Sequence, residues 1–222
     1  LIAMLTGGNC LITGAPGLAK TLLVKSLAQV FRLDFNRIQF TPDLMPADIT
    51  GMEILQDTPE GRALRFVQGP VFAQMLLADE INRTPPKTQA ALLEAMQEKQ
   101  VTIGETTYQL DKPFLVLATQ NPVEQEGTFP LPEAQVDRFM MKVFLNYLDK
   151  EQELEVMRKM SNMDFQYEPK SILDLQDIQA IRKEINQITI SETLEKYIIE
   201  LIFATRNPAD YGLTKEADYI QF

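Results

Sequence analysis

The chain has 222 residues, of which 45% are apolar and 23% charged, and this composition is typical of a soluble globular protein with one large domain or one domain and part of a second. Its 21 basic and 31 acidic side chains give a formal net charge of -10, so bulk attraction to nucleic acid or to an acidic membrane surface is disfavoured. The absence of histidine excludes Ser-His-Asp catalysis and His-ligated zinc, and the single cysteine, Cys10, excludes an intrachain disulfide framework.

Five short apolar segments are predicted to be strands, because they are rich in β-forming residues and alternate along the chain with helical patterns. The segments at 73–78 and 114–118 are continuously apolar, as expected of strands that are buried on both faces. This alternation predicts a mostly parallel sheet covered by helices. The five candidates are Asn9–Thr13, Phe35–Thr41, Ala73–Ala78, Phe114–Ala118 and Met140–Leu145.

The spacing of apolar residues predicts two helices between these strands. Thr84 and Pro85 are expected to be the N-cap and the first residue of the second helix. The residues expected to face the core are Leu23, Leu27, Val30 and Phe31 in the first helix and Leu92, Leu93 and Met96 in the second.

Two β-hairpins are predicted to interrupt this alternation. The first covers residues 52–67 with a turn at 57–61, and the second covers 101–110 with a turn at Gly104. A simple crossover between parallel strands needs neither hairpin, so both are candidates for a specialised role.

After Leu145 the sequence predicts helices only. Asp149 and Gln152 form a capping-box pattern, and Ser191 is a typical N-cap residue. The apolar stripes that follow both caps predict helix–helix packing. We therefore expect an α/β core over residues 1–148 and a small helical domain over residues 149–222.

The most specific motif is the run Gly14-Ala15-Pro16-Gly17-Leu18-Ala19-Lys20-Thr21, which follows a predicted strand and opens a predicted helix. It matches the Walker A pattern of phosphate-binding loops, except that Ala19 stands where the consensus has its second glycine. In such a loop, backbone N–H groups and the helix N-terminus bind phosphate oxygens, and Gly14 and Gly17 supply the unusual backbone angles. We expect Lys20 to reach the β- and γ-phosphates and the Thr21 hydroxyl to coordinate Mg²⁺. The predicted ligands are therefore a chain of phosphates and Mg²⁺, and the family resemblance described below implies that the phosphates belong to ATP.

Polar side chains that suit the same chemistry follow two further apolar strands. Asp79 ends one of them and is the candidate to bind the phosphate-bridging Mg²⁺, while Glu80 is the candidate base that deprotonates water. Asn121 ends the next strand and is a candidate to hold the attacking water or a γ-phosphate oxygen. Taken alone, an Asn-Pro turn without catalytic duty explains Asn121 better, but its place on the strand after the one that ends in Asp79 and Glu80 favours the catalytic role.

Four blocks together resemble the MoxR family of AAA+ ATPases, in the branch that includes magnesium chelatase. The blocks are the Walker A run, Ala78–Arg83, Ala118–Pro122 and Leu131–Phe139. MoxR-like proteins commonly carry alanine at the position of Ala19, so the departure from the consensus supports the resemblance. The resemblance covers nearly the whole chain and implies a five-stranded parallel P-loop sheet followed by a small all-α lid domain.

The resemblance also implies roles that spacing does not show. AAA+ relatives form rings, usually hexamers, with ATP at each subunit interface. Arg138 matches the arginine finger that reaches the γ-phosphate of a neighbouring subunit, whereas without the family it would be interpreted as a surface ion pair with Asp137. The two hairpins match the helix-2 insert and the pre-sensor hairpin, which face the pore or a partner surface in relatives.

Two features of the family are missing from the sequence. No Gly-Ala-Ser-x-Arg-like motif occurs for the second sensor arginine, and Arg206 stands too early to fill that role. The upstream segment that contacts adenine is also missing, so the sequence does not identify the adenine-contacting residues. We expect the chain to be truncated at both ends, which leaves its own hydrolytic competence open.

The function implied by the resemblance is Mg²⁺-dependent ATP hydrolysis coupled to chaperone-like remodelling of a partner, often a protein with a von Willebrand factor A domain. Two alternatives stay open, a nucleic-acid motor and an ATP-gated scaffold with little turnover. The second hairpin argues against the motor, because it carries Glu105, precedes Asp111 and offers Tyr108 alone for base stacking. The Asp79–Glu80 pair favours turnover over the scaffold.

The sequence contains no apolar run of the roughly 18 residues that a membrane span needs. Its first residues also lack the basic region of a signal peptide. We therefore expect a cytoplasmic protein.

Overall fold

The structure, a computed structural model, describes residues 1–59, 61–122, 127–161, 169–213 and 215. Its strands, numbered in chain order, are β1 (Cys10–Gly14), β2 (Phe35–Gln39), β3 (Gly51–Thr58), β4 (Gly61–Gln68), β5 (Met75–Asp79), β6 (Gln100–Ile103), β7 (Thr106–Gln109), β8 (Leu115–Gln120) and β9 (Met141–Leu145). Its α-helices are α1 (Ile2–Thr6), α2 (Lys20–Val30), α3 (Pro46–Thr50), α4 (Pro86–Glu98), α5 (Glu133–Val136), α6 (Lys150–Met160), α7 (Leu175–Ile185) and α8 (Glu192–Arg206). Short 3-10 helices cover Ile81–Arg83 and Pro208–Tyr211.

The predicted strands form one parallel sheet of five strands in the order β2-β5-β8-β1-β9. This arrangement confirms the α/β P-loop fold class expected from the sequence. Because neighbouring strands are parallel, their carboxyl ends lie at the same edge of the sheet. The loops that follow β1, β5 and β8 therefore meet there.

Both faces of this sheet are buried, and alternate residues of each central strand belong to different cores. In β5, Leu76 and Ala78 pack with α4 residues such as Leu92, while Met75 and Leu77 belong to the core that contains α2. Alternation follows from the two-residue period of a strand. It explains why the central strands are continuously apolar in sequence.

Both predicted hairpins are present as antiparallel pairs, β3 with β4 and β6 with β7. The predicted turn of the first hairpin includes Glu60, which lies outside the described residues. Phe66 of β4 stacks on Tyr108 of β7 with ring centroids 4.1 Å apart. The two hairpins are therefore in contact through an aromatic pair, which contributes about 1 kcal/mol beyond the area it buries.

Two details of the predicted helices are wrong. Leu27, Val30 and Phe31 pack in or against the core as predicted, whereas Leu23 is 46% exposed and its neighbour Val24 is buried instead. Helix α4 begins at Pro86 with Pro85 as its N-cap, one residue later than expected. Thr84 keeps an extended backbone, which is the conformation that a following proline favours.

The capping predictions for the later helices are confirmed. The backbone N–H of Gln152 donates to Asp149 Oδ1 at 2.8 Å, and the N–H of Asp149 donates to Gln152 Oε1 at 3.2 Å. Ser191 caps α8 through the N–H of Leu194. Among the described residues, the apolar stripes of α6 and α8 are exposed and do not show the burial that the predicted packing implies. The stripe residues exposed in these two helices are Leu154, Met157, Met160, Leu194, Ile198, Leu201 and Ile202.

The chain divides into two compact units, Leu1–Ile181 and Arg182–Phe222. The division into a core over 1–148 and a helical lid over 149–222 stays a prediction. Within the part of the chain that the structure describes, no helix combines the length and the apolar character needed to cross a membrane.

Candidate functional site

The candidate site lies at the edge of the sheet where β1, β5 and β8 end. Gly14 is the last residue of β1, Asp79 is the last of β5, and Asn121 directly follows β8. The strand order places β8 between β5 and β1, so all three ends are neighbours. The fold thus brings together the motifs that the sequence analysis singled out separately.

Two glycines give the phosphate loop its shape. A Cβ on Gly14 would lie 3.0 Å from both the Cβ and the carbonyl oxygen of Leu145, so the close approach of β9 requires glycine. Gly17 has φ 85°, in the left-handed region where side chains are unfavourable, and nothing lies within 4 Å of a Cβ built on it. The loop is therefore open on the side of Gly17.

Ala19 is the N-cap of α2 and has φ 52°. The residue thus lies directly before the first turn of the helix, in a left-handed conformation. For a residue with a Cβ this conformation costs roughly 1–2 kcal/mol, which explains why the consensus has glycine here.

The ammonium group of Lys20 lies against its own loop. Its Nζ donates to the carbonyl oxygens of Gly14 at 2.7 Å and of Ala15 at 2.8 Å. These contacts fix the charge at the mouth of the loop, at the N-terminus of α2 where the helix dipole also favours anions. The loop residues Pro16 and Gly17 are exposed, and Leu18 is half-buried.

The hydroxyl of Thr21 donates to Asp79 Oδ2 at 3.2 Å. One hydroxyl and one carboxylate oxygen thus meet at the end of the phosphate loop. Among the described residues there is no group of three or more His, Cys, Asp or Glu side chains that could hold a metal. Two hard oxygen ligands suit Mg²⁺, which is usually held by one or two protein groups together with phosphates and water.

The carboxylate of Asp79 accepts hydrogen bonds at both oxygens. Oδ1 accepts from Thr119 Oγ1 at 2.6 Å, and Oδ2 accepts from Arg37 at 2.7 Å to Nη2 and 3.1 Å to Nε. Burial alone would raise the pKa of Asp79, but the hydrogen bonds from Thr119, Arg37 and Thr21 and the charge of Arg37 outweigh it, so the pKa lies below its usual value. The group is ionised at neutral pH, as a metal ligand must be.

Glu80 has φ 58°, and its backbone N–H and its side chain together make three hydrogen bonds. Its N–H donates to Thr119 Oγ1 at 2.8 Å, and its Oε2 accepts from Gln39 Nε2 at 2.8 Å and from Arg83 Nη1 at 3.1 Å. The Thr119 hydroxyl therefore contacts Asp79 and Glu80 at once and fixes one relative to the other. Arg83 forms an ion pair with Glu80 that is partly exposed to solvent.

The sequence analysis missed Arg37, Gln39, Thr119 and Arg83 as parts of this cluster. Arg37 and Gln39 alternate with buried Ile38 along β2, so a polar face of that strand was visible in the sequence. What the sequence did not show is that β2 pairs with β5 and places Gln39 opposite Asp79.

Asn121 and Arg138 lie in different surroundings. Asn121 is 3% exposed at the end of β8, on the same edge as Asp79. Arg138 is exposed and donates from Nη1 to the carbonyl oxygen of Leu93, in α4, at 2.9 Å. Its hydrogen bond thus goes to a helix beside the sheet and not to the phosphate loop of its own chain.

A cavity of about 390 Å³ opens beside the phosphate loop. Pro16, Gly17 and Leu18 form one wall. Tyr147, which lies just after β9 in the sequence, also lines the cavity. The remaining lining residues are Leu148, Glu153, Val156 and Met157. Its walls are thus largely apolar, with one aromatic ring.

A family model, the ATPase family associated with various cellular activities (AAA), matches residues 9–141. The matched residues contain the whole phosphate loop, both carboxylates, Asn121 and Arg138. The matched range thus includes every site residue that the sequence predicted.

Several relatives resemble the whole chain. Chaperone MoxR1 of Mycobacterium tuberculosis is 43% identical over 222 residues, which is 100% of this chain and 58% of the relative. YeaC of Bacillus subtilis, an uncharacterised protein, is 43% identical over 93% of this chain and 64% of its own length. Protein MoxR of Paracoccus denitrificans is 30% identical over 97% of this chain and 66% of its own length.

A solved structure from Cytophaga hutchinsonii, described as that of a candidate ATPase, is 63% identical with a TM-score of 0.86. The match covers 97% of this chain and 65% of that one. The chain thus spans 58% and 64% of the length of the first two relatives and a similar share of the solved structure.

Proposed function

Because this chain belongs to the MoxR family of AAA+ ATPases, we propose that it binds ATP with Mg²⁺ and hydrolyses it. The observation that carries the proposal is the contact between Thr21 and Asp79 beside the Lys20 ammonium. A positive charge, a hydroxyl and an ionised carboxylate at one loop form the set that a metal-bound triphosphate requires. Each lies at the end of a strand or the start of a helix, where the backbone fixes its position.

The residues of the loop would hold the phosphates, and Lys20 would exchange its carbonyl partners for phosphate oxygens. Thr21 and Asp79 would hold Mg²⁺, which supplies charge neutralisation to the phosphates when it is bound. The N-terminus of α2, which begins at Lys20, adds to the attraction for phosphates.

Glu80 is proposed to accept a proton from the attacking water. Its Oε2 already accepts from Gln39 and Arg83, which hold the carboxylate in position. Asn121, at the end of the neighbouring strand, is proposed to position the water or a γ-phosphate oxygen. An acid–base group of this kind contributes roughly 10²–10⁴-fold to a rate.

The cavity next to Pro16, Gly17 and Leu18 is proposed to take the adenine base and ribose. Its position supports this, because the cavity shares Pro16, Gly17 and Leu18 with the phosphate loop. Its apolar lining and the Tyr147 ring suit a flat aromatic base.

Ring assembly, usually hexameric in this family, is proposed for the active form. The position of Arg138 supports it, because the side chain is exposed and its hydrogen bond is to α4. We propose that this exposed arginine, which contacts α4 from outside that helix, reaches a phosphate held by a neighbouring subunit, where such a finger accelerates phosphoryl transfer by roughly a thousandfold or more.

We propose that the energy of ATP hydrolysis drives a chaperone-like action on a partner protein. A protein with a von Willebrand factor A domain is one candidate partner. One relative is named a chaperone, and the first hairpin exposes the apolar cross-strand pair Leu55 and Leu64. Tyr108 is stacked on Phe66, which argues against its use as a platform for nucleic acid bases. A role that consumes ATP also favours the cytoplasm as its location.

The substitution Glu80→Gln tests the proposed hydrolysis. It removes the proton acceptor and leaves the loop and Asp79 intact, so ATP binding should be retained while phosphate release falls by roughly 10²-fold or more. Glu98→Gln, at the exposed end of α4, is the matched control and should leave both unchanged. Unchanged phosphate release in Glu80→Gln would remove Glu80 from the mechanism.

A further inference from the structure

The guanidinium group of Arg37 lies directly on the carboxylate assigned to the metal. Its Nη2 and Nε donate to the same oxygen of Asp79, at 2.7 Å and 3.1 Å. The Asp79 side chain is 10% exposed and that of Arg37 is 46% exposed. The pair is therefore only partly screened by water, and its charges interact more strongly than those of a surface ion pair.

The two oxygens of Asp79 have different surroundings. Oδ1 accepts from Thr119, whose side chain is fully buried in the core of the sheet. Oδ2 accepts from Thr21, which is the other proposed metal ligand. A cation bridging Thr21 and Asp79 must therefore use Oδ2, the oxygen on which the guanidinium of Arg37 lies.

A divalent cation and a guanidinium cannot both lie within contact distance of one carboxylate oxygen without strong repulsion. We propose that Arg37 is a positioning residue that competes with the divalent cation for Oδ2 of Asp79, so that the site binds the free cation weakly and takes it up together with nucleotide phosphates. The inference rests on the proposed function, because it takes Asp79 as the metal ligand. Phosphates add the oxygen ligands that Thr21 and Asp79 alone do not provide.

Arg37 has a second hydrogen-bond partner and access to solvent, so it can leave Asp79 when the cation binds. Its Nη2 also donates to Gln39 Oε1 at 2.6 Å, and almost half of its side chain faces solvent. Loss of the contact with Asp79 therefore does not leave a buried charge without a partner. Because Gln39 also donates to Glu80, movement of Arg37 would be felt at the proposed base as well.

The test is a titration of the metal alone, with no nucleotide. Mn²⁺ is added to the wild-type chain and to Arg37→Met, and bound Mn²⁺ is counted by electron paramagnetic resonance. Removing the competing charge should raise the affinity for Mn²⁺ about tenfold. Arg37→Lys keeps the charge and should stay close to the wild type. Arg62→Gln breaks an exposed Arg–Asp pair elsewhere, with Asp57, and should change nothing.

An Mn²⁺ affinity of Arg37→Met equal to or weaker than that of the wild type overturns the inference. Arg37→Gln replaces Arg37→Met in the same comparison if thermal unfolding shows that the methionine variant does not fold. The inference is also contradicted if the wild type binds Mn²⁺ as tightly without nucleotide as with it. Parallel titrations with ATP separate the two proposals. If the wild type binds Mg-ATP while Arg37→Met has the same Mn²⁺ affinity as the wild type, this inference fails and the proposed function stands.

Discussion

Thr119 shows how one side chain organises the site. Its hydroxyl donates to Asp79 Oδ1 at 2.6 Å and accepts from the N–H of Glu80 at 2.8 Å. Because Thr119 is fully buried, water cannot replace either hydrogen-bond partner, and the fold holds both hydrogen bonds in place. The relative position of the two carboxylates is therefore set by the end of β8, one strand away.

The depressed pKa of Asp79 predicts a specific pH dependence of stability. A carboxyl whose pKa is lower in the folded than in the unfolded chain stabilises the fold above the unfolded value, near 4, and this contribution is lost as the pH falls through the folded value. The difference in free energy of unfolding between the wild type and Asp79→Asn should therefore be constant from neutral pH to about pH 5 and shrink below about pH 4.

Urea unfolding at a series of pH values measures this difference. Asp57→Asn is the control, because the Asp57 side chain is 87% exposed and its pairing with Arg62 should contribute little at any pH. A difference between wild type and Asp79→Asn that stays the same below pH 4 would show that the contacts of Asp79 do not favour its charged form.

At the scale of single elements, Gly51 is the residue that joins α3 to the first hairpin. It has φ 92°, and a Cβ there would lie 2.2 Å from the carbonyl oxygen of Val67 and 2.6 Å from the backbone nitrogen of Gly69. Gly51→Ala should therefore lower the free energy of unfolding by more than about 2 kcal/mol, since it combines a backbone clash with an unfavourable φ.

Gly61→Ala separates the two causes. Gly61 also has a positive φ, of 125°, but nothing lies within 4 Å of a Cβ built on it. Its substitution should cost about 1 kcal/mol, from backbone strain without a clash. Equal losses for both variants in urea unfolding would mean that the close approach of β4 to Gly51 is not maintained in solution.

The elements themselves were largely predictable, because their signals are local. Continuous apolar runs predicted β5 and β8, and the pattern of Asp149 and Gln152 predicted the start of α6. On the predicted face of α2 only Leu23 was wrong, since Leu23 and Val24 are equally apolar and the position of the sheet decides which of them is buried. The exposed stripes of α6 and α8 likewise depend on what packs against them and not on their own spacing.

At the scale of the whole molecule, the order of the strands decides which residues form the site. The sequence predicted the phosphate loop and the two carboxylates, because each has its own motif. It did not predict Arg37 or Gln39, which enter the site because β2 pairs with β5. Pairing between strands that are distant in the chain has no local signature, so these contacts required the structure.

The central claim is that the loop from Gly14 to Thr21, with Asp79, binds a triphosphate with Mg²⁺. Calorimetric titration of this chain with ATP, with and without Mg²⁺, tests it most directly, alongside Lys20→Met and the control Lys25→Met on an exposed position of α2. We predict saturable binding that is tighter with Mg²⁺, is weakened at least about tenfold in Lys20→Met and is unchanged in Lys25→Met. No binding by the wild type, or equal affinities of the wild type and Lys20→Met, would contradict the account.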